Sequence, residues 1–160
     1  MKHILVCVLI ALLFVQCNKD DQDSPANLLN LTASMSAKID GTSWNAVTRV
    51  TRLQSNNFII TGTGALNGND VIAITVLGST AGTYNLDPMT TQVQFTANYT
   101  PVAGSTDSIY QAYQGSVVIS SVDLTEKKVS GTFTFKARLQ DMVTEVNITE
   151  GKFENLSYTE

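Results

Sequence analysis

Val129-Ser130-Gly131-Thr132-Phe133-Thr134-Phe135-Lys136-Ala137-Arg138-Leu139 is the stretch that decides the fold. Val129, Phe133, Phe135, Ala137 and Leu139 fall at one parity, and Ser130, Thr132, Thr134, Lys136 and Arg138 at the other. Successive side chains of an extended chain point to opposite faces, so this spacing predicts a strand with one apolar face and one wet face.

The same period of two extends in both directions. On the C-terminal side, residues 143–149 and 152–158 predict two further strands joined near Glu150-Gly151. On the N-terminal side, the polar turn 123–128 is preceded by strands at 116–122 and 109–113, and by an exposed loop at 101–108. Val93, Phe95, Ala97 and Tyr99 alternate before that loop; residues 84–86 form a short strand between the turn at 78–83 and the break at Asp87-Pro88.

Two hairpin signals stand further upstream. Asn67-Gly68-Asn69 separates 57–66 from 70–77, and a tight turn there places Phe58, Ile60 and Leu66 on one face with Val71, Ala73 and Leu77. Ile72, Ile74 and Val76 then share the other face. Residues 47–53 predict a strand with Arg49 and Arg52 outward. Asp40-Gly41 joins the alternating sets Met35, Ala37, Ile39 and Thr42, Trp44, Ala46, so that Ile39 faces Thr42, Ala37 faces Trp44 and Met35 faces Ala46. No segment after residue 33 carries a sustained helical period. The prediction is an all-β antiparallel meander of about ten short strands, closing as a β-sandwich or as a flattened, partly closed β-barrel. Of the two, we favour the sandwich-like closure.

The first residues decide where this domain resides. Lys2 and His3 give a short positive start, and Ile4 begins an apolar run to Val15, about twelve residues, too short for a bilayer span of roughly 20 but suited to a signal-peptide core. The run stops at Cys17, after which Asn18-Lys19-Asp20-Asp21-Gln22-Asp23 is wholly polar. A thiolate at that point can accept a diacylglyceryl group, and two or more acyl chains anchor a protein stably. The expected organisation is a signal peptide at 1–16, a tether lipid-anchored through Cys17 at 17–33, and one all-β domain at 34–160.

Composition then removes whole classes of function. The 160-residue chain carries a formal charge of −4 and a pI near 4.9, which leaves no basic field for nucleic acid. Its only cysteines are Cys7 and Cys17 and its only histidine is His3. Once the signal is removed and Cys17 acylated, the mature domain has no disulfide, thiol nucleophile or imidazole base. That excludes Cys-His and Ser-His-Asp catalysis and any His- or Cys-ligated metal site, and no cofactor is expected.

Several motifs in fixed order carry a family resemblance: Ala37-Lys38-Ile39-Asp40-Gly41-Thr42-Ser43-Trp44, Gly82-Thr83-Tyr84, Ser130-Gly131-Thr132-Phe133-Thr134-Phe135 and Ile148-Thr149-Glu150-Gly151-Lys152-Phe153. Together they resemble a family of Bacteroidota lipoproteins whose domain has no assigned chemistry. Phe14-Val15-Gln16-Cys17 is similar to a relaxed lipobox, with Phe14 and Gln16 departing from the usual aliphatic and small residues. Lys19-Asp20-Asp21 resembles the lysine-plus-acidic surface-export signal of that phylum, and Asp107-Ser108-Ile109 matches its short O-glycosylation motif, with Ser108 as acceptor. The resemblance implies a surface or periplasmic lipoprotein of the outer membrane.

The expected role is non-enzymatic: a binding or interaction module for a glycan or an envelope protein. Trp44, Tyr110 and Tyr113 are the candidate ligand-facing aromatics, set against Tyr84 and Tyr99 as further strand aromatics. Tyr110 and Tyr113 have opposite parity, so one of them should face outward. The alternatives are a structural envelope component and a small glycoside hydrolase, which needs only a carboxylate pair; Asp141, Glu145 and Glu150 are the residues considered for it. Asn67, Asn69 and Asp70 offer oxygen ligands but lack a calcium-loop pattern, so no metal is expected.

Overall fold

The computed structural model describes residues 32–65 and 69–160. It contains β1 (Ser34–Ile39), β2 (Thr42–Asn45), β3 (Thr48–Gln54), β4 (Asn57–Thr63), β5 (Val71–Val76), β6 (Gly82–Leu86), β7 (Phe95–Thr100), β8 (Tyr110–Asp123), β9 (Lys128–Arg138) and β10 (Glu145–Ser157). All ten belong to one antiparallel sheet in the order β2-β1-β10-β9-β8-β7-β5-β4-β3, with β6 paired to β8 beside β7. The sheet is open and strongly curled, a half-barrel, so the partly closed barrel is the form adopted and the sandwich-like closure we favoured is not.

Strands β4, β5, β7 and β9 bury alternate residues. In β9 the buried parity is Val129, Phe133, Phe135 and Ala137, as the alternation requires. Phe58, Ile60, Ile72, Ile74, Val76, Phe95, Ile119, Ile148 and Phe153 complete an interior that the curled sheet fills by itself. The rings of Phe133, Phe135 and Phe153 lie nearly parallel, with neighbouring centroids 6.2 and 6.4 Å apart.

The first hairpin has the expected register: Ile39 pairs with Thr42 and Ala37 with Trp44, around Asp40 at φ 46° and Gly41 at φ 83°. The β4–β5 pair does not. Phe58 lies opposite Val76 and Ile60 opposite Ile74, so Phe58 and Ile60 share the buried face with Ile72, Ile74 and Val76. Val71 and Ala73 occupy the other face, and Leu77 is exposed. The physical reason is where the two strands join: Gly64 N–H donates to the Asp70 carbonyl at 2.7 Å, and continuing that pairing sets Phe58 opposite Val76. An odd change in register moves every side chain of a strand to the opposite face.

Two glycines read as strand ends lie inside long strands. Residues 109–113 and 116–122 are parts of one 14-residue strand, β8, with Gly115 between them. Residues 143–149 and 152–158 likewise merge into β10, whose register slips between Ile148 and Gly151 and again between Phe153 and Leu156. Glu150 and Asn155, at φ 51° and 49°, are the left-handed residues at those slips. A Cβ on Gly151 would run into the Phe133 ring and main-chain carbonyl, so only glycine permits this approach. Bulges increase local twist and bend the strand that carries them, which is what curls one sheet around its own core.

The curl brings the two sheet edges together at two points. Ala46 N–H donates to Met35 of β1, while the next residue, Val47, donates to Thr63 of β4, so the chain steps between edges across one peptide. At the second point Leu53 N–H donates to Thr159 at 2.7 Å and Thr159 N–H donates to Thr51 at 3.2 Å. Tyr158, buried beside them, sets its ring edge-on to Phe58 with centroids 5.3 Å apart.

Candidate functional site

A groove of about 880 Å³ opens on the flank where β6 and β7 share β8 as neighbour. β7 pairs with β8 only at Tyr110 and Gln111, and β6 pairs with it only from Gly115 onward. Between them the side of β8 at Ala112 to Gln114 has no strand beside it. The 87–94 connection forms the facing wall. Its ends are pinned together by Asn85 N–H donating to Gln94 Oε1 at 2.7 Å and Gln94 N–H donating to the Asn85 carbonyl at 3.3 Å.

Inside the wall, Asp87 Oδ1 accepts the Met89 N–H at 2.8 Å, and the Asp87 carbonyl accepts from the Thr90 N–H and hydroxyl. The lining is therefore amide and hydroxyl: Asn85, Thr90, Gln92, Gln94, Gln114 and Ser116, with Met89 standing 90 % exposed at the rim. Asp87 is its one ionisable side chain.

A smaller cleft of about 320 Å³ lies at the far end of β1, among Asp40, Tyr99, Pro101, Tyr110 and Glu145. Tyr99 and Tyr110 meet there with centroids 6.0 Å apart. Behind them Tyr99 donates a long hydrogen bond of 3.5 Å to the fully buried Asp70. Burial first, and the Asp70 charge and hydrogen bond next, push the Tyr99 phenol up to about 12.

The aromatic platform expected from Trp44, Tyr110 and Tyr113 is not formed. Trp44 is 1 % exposed, held in the core beside Ala37, Ala46 and Gly62, because its parity on β2 is the inward one. Tyr110 is half-buried on the inward side at the cleft. Tyr113 faces outward as the opposite parity requires, but Arg138 lies over its ring at 4.6 Å and its hydroxyl donates to Glu145 at 3.0 Å. The three rings thus occupy three separate environments.

The family model described as "Domain of unknown function (DUF6252)" matches residues 31–157. The chain belongs to the DUF6252 family. No curated protein and no solved structure matches it.

In this DUF6252 domain the nominated carboxylates are committed to turns and ion pairs. Asp141 caps the β9–β10 turn: Oδ1 accepts the Val143 and Thr144 N–H groups and Oδ2 the Thr144 hydroxyl at 2.6 Å. Those hydrogen bonds, that of the Thr144 hydroxyl foremost, hold its carboxyl below the usual range. Glu150 pairs with Lys38 at 2.7 Å, and Glu145 takes the Tyr113 hydroxyl. Asp70 is buried and accepts from Tyr99, while Asn69 takes a left-handed turn position at φ 73°. Ser108 sits half-buried in the 101–109 loop, beside a pocket lined by Asp107, Ile109 and Gln140. Cys17, Lys19, Asp20, Asp21 and Asn67 lie outside the described residues.

Sequence reasoning missed the groove residues of the DUF6252 domain. Gln92, Gln94 and Gln114 titrate nothing and match no motif. The available signal was the polar run Thr90-Thr91-Gln92-Val93-Gln94 between a proline break and a strand.

Proposed function

We propose that this protein is a lipid-anchored envelope lipoprotein, held at the outer membrane through Cys17 and displayed at the cell surface, whose β domain is a non-enzymatic binding module. The observation that carries the binding reading is the flank groove: a large concavity walled by a pinned loop and lined by groups that hydrogen-bond without reacting. The apolar run ending at Cys17, followed by Lys19-Asp20-Asp21, supports the anchoring and export. The engagement of Asp141, Glu145 and Glu150 in structural contacts supports a binding role over hydrolysis.

The test is made in cells. Metabolic labelling with an alkyne fatty acid should tag the full chain and leave Cys17→Ser unlabelled. Proteinase added to intact cells should remove the wild-type domain and spare the variant in which Lys19, Asp20 and Asp21 are alanine. An unlabelled wild-type chain, or a labelled chain equally protected in both forms, would overturn the anchoring or the export part respectively.

A further inference from the structure

We infer that the groove between the 87–94 connection and β8 takes a neutral, polyhydroxylated ligand, a stretch of glycan chain. This rests on the binding-module reading and specifies its ligand class. A sugar hydroxyl donates one hydrogen bond and accepts others, so the groups that suit a row of hydroxyls are those that also do both. Primary amides and hydroxyls are such groups, and Asn85, Gln92, Gln114, Thr90 and Ser116 present them to one concavity.

Charge selects against the other classes. The groove contains no lysine, arginine or histidine to neutralise a phosphate, sulfate or uronate, and its one carboxylate repels them. A single carboxylate, Asp87, also supplies too few charged oxygen ligands to hold a cation tightly. A peptide would need apolar pockets for its anchoring side chains. The lining offers only the half-buried Leu86 and the exposed Met89, enough to meet the C–H face of a sugar ring and too little to seat a peptide anchor.

Size and shape agree. A volume of about 880 Å³ stands near the top of the usual range for small-ligand sites, roughly 300 to 1,000 Å³, and the groove is open along the flank of the sheet instead of enclosed. That form admits a few consecutive residues of a chain entering and leaving. The pinned ends of the 87–94 connection keep the wall in place before the ligand arrives, which lowers the ordering cost of binding.

The experiment uses the full chain in detergent against an immobilised panel of neutral oligosaccharides (gluco-, manno- and N-acetylglucosamine oligomers), anionic ones (polygalacturonate and heparin fragments) and a random peptide library. Retention of a neutral oligosaccharide is expected. Gln92→Ala and Gln114→Ala should each weaken it by about three- to tenfold, as the loss of a neutral hydrogen bond does, while Lys128→Ala, at the β8–β9 turn and not among the groove-lining residues, leaves it unchanged. Both glutamines are exposed, so unchanged thermal melts should accompany the loss. Retention of only anionic sugars or peptides would overturn the glycan inference and leave a binding module standing. Neutral binding unaffected by the two glutamine variants would overturn the groove assignment. Retention of nothing in any class would overturn both readings.

Discussion

Trp44 provides the sharpest test of how this sheet is held together. The indole is 1 % exposed, and its neighbours are the smallest residues of the core: Ala37 opposite it, and Gly62, where a Cβ would lie 2.8 Å from the indole Cη2. Those residues leave room for the ring and cannot grow into the space it vacates. An aromatic side chain buries roughly 150 to 250 Å², which at about 25 cal/mol per Å² corresponds to about 4 to 6 kcal/mol. Measured Trp or Phe truncations in cores cost about 3 to 5 kcal/mol. Trp44→Ala should therefore lose about 4 kcal/mol, a large share of a total stability of roughly 5 to 15 kcal/mol. Since Nε1 has no hydrogen-bond partner among the described residues, Trp44→Phe should lose only buried area, about 1 to 2 kcal/mol. Urea unfolding followed by far-ultraviolet circular dichroism measures both, because the chain's single tryptophan is removed in each. A loss below about 1 kcal/mol for Trp44→Ala, with ligand retention abolished, would refute the core assignment and restore Trp44 as a binding residue.

Other perturbations probe the remaining supports of the fold. The Tyr99 phenol is raised to about 12 from an ordinary 10.0, so its contribution is complete below pH 10 and is lost as pH rises through 12. Tyr99→Phe should flatten that part of the stability profile, and a tyrosinate absorbance in which every tyrosine titrates near 10 would contradict it. Asp141 has a depressed carboxyl, so its capping contribution is present above the ordinary aspartate range and fades as pH falls through the lowered value; Asp141→Ala should lower the melting temperature at neutral pH more than in acid. Gly151→Val should cost about 2 to 3 kcal/mol by driving a side chain into Phe133, with thermal melts as the readout and Gly82→Ala, whose Cβ meets only an ordinary contact with Tyr84, as the milder comparison. Truncation after Ser157 should speed exchange of the Leu53 amide, whose acceptor is the Thr159 carbonyl, and unchanged protection there would deny the tail its role at the seam.

The strands were legible wherever a run of alternation was long enough to fix its own parity. β9 comes through with its faces intact and the β1–β2 hairpin with its register, because eleven alternating residues and an Asp-Gly turn leave little choice. β4 and β5 existed where expected but met in another register, since the alternation of two apolar strands constrains neither face and the decision passed to the loop. Gly115 and Gly151 were read as ends because a glycine in a strand signals either a turn or a bulge, and only the tertiary context separates the two. The same ambiguity concealed the closure: a chain whose glycines end strands makes short flat hairpins suited to a sandwich, whereas one whose glycines bend them makes long strands that curl.

The site was less legible than the fold for a related reason. Chemistry-bearing residues announce themselves by type, and here the conspicuous ones are occupied by the fold: Trp44 fills the core, Asp141 caps a turn and Glu150 pairs with Lys38. Tyr113 is outward, yet its ring and hydroxyl are taken by Arg138 and Glu145. What remains uncommitted is a set of amides whose significance depends on being brought together, and Gln92 and Gln114 lie far apart in the chain. Their meeting requires β6 and β7 to stop short of one another along β8, which in turn requires β8 to continue unbroken through Gly115. The groove is thus a consequence of a continuous strand that the sequence presented as two, and a reading that ends the strand at Gly115 removes the floor on which the ligand would rest.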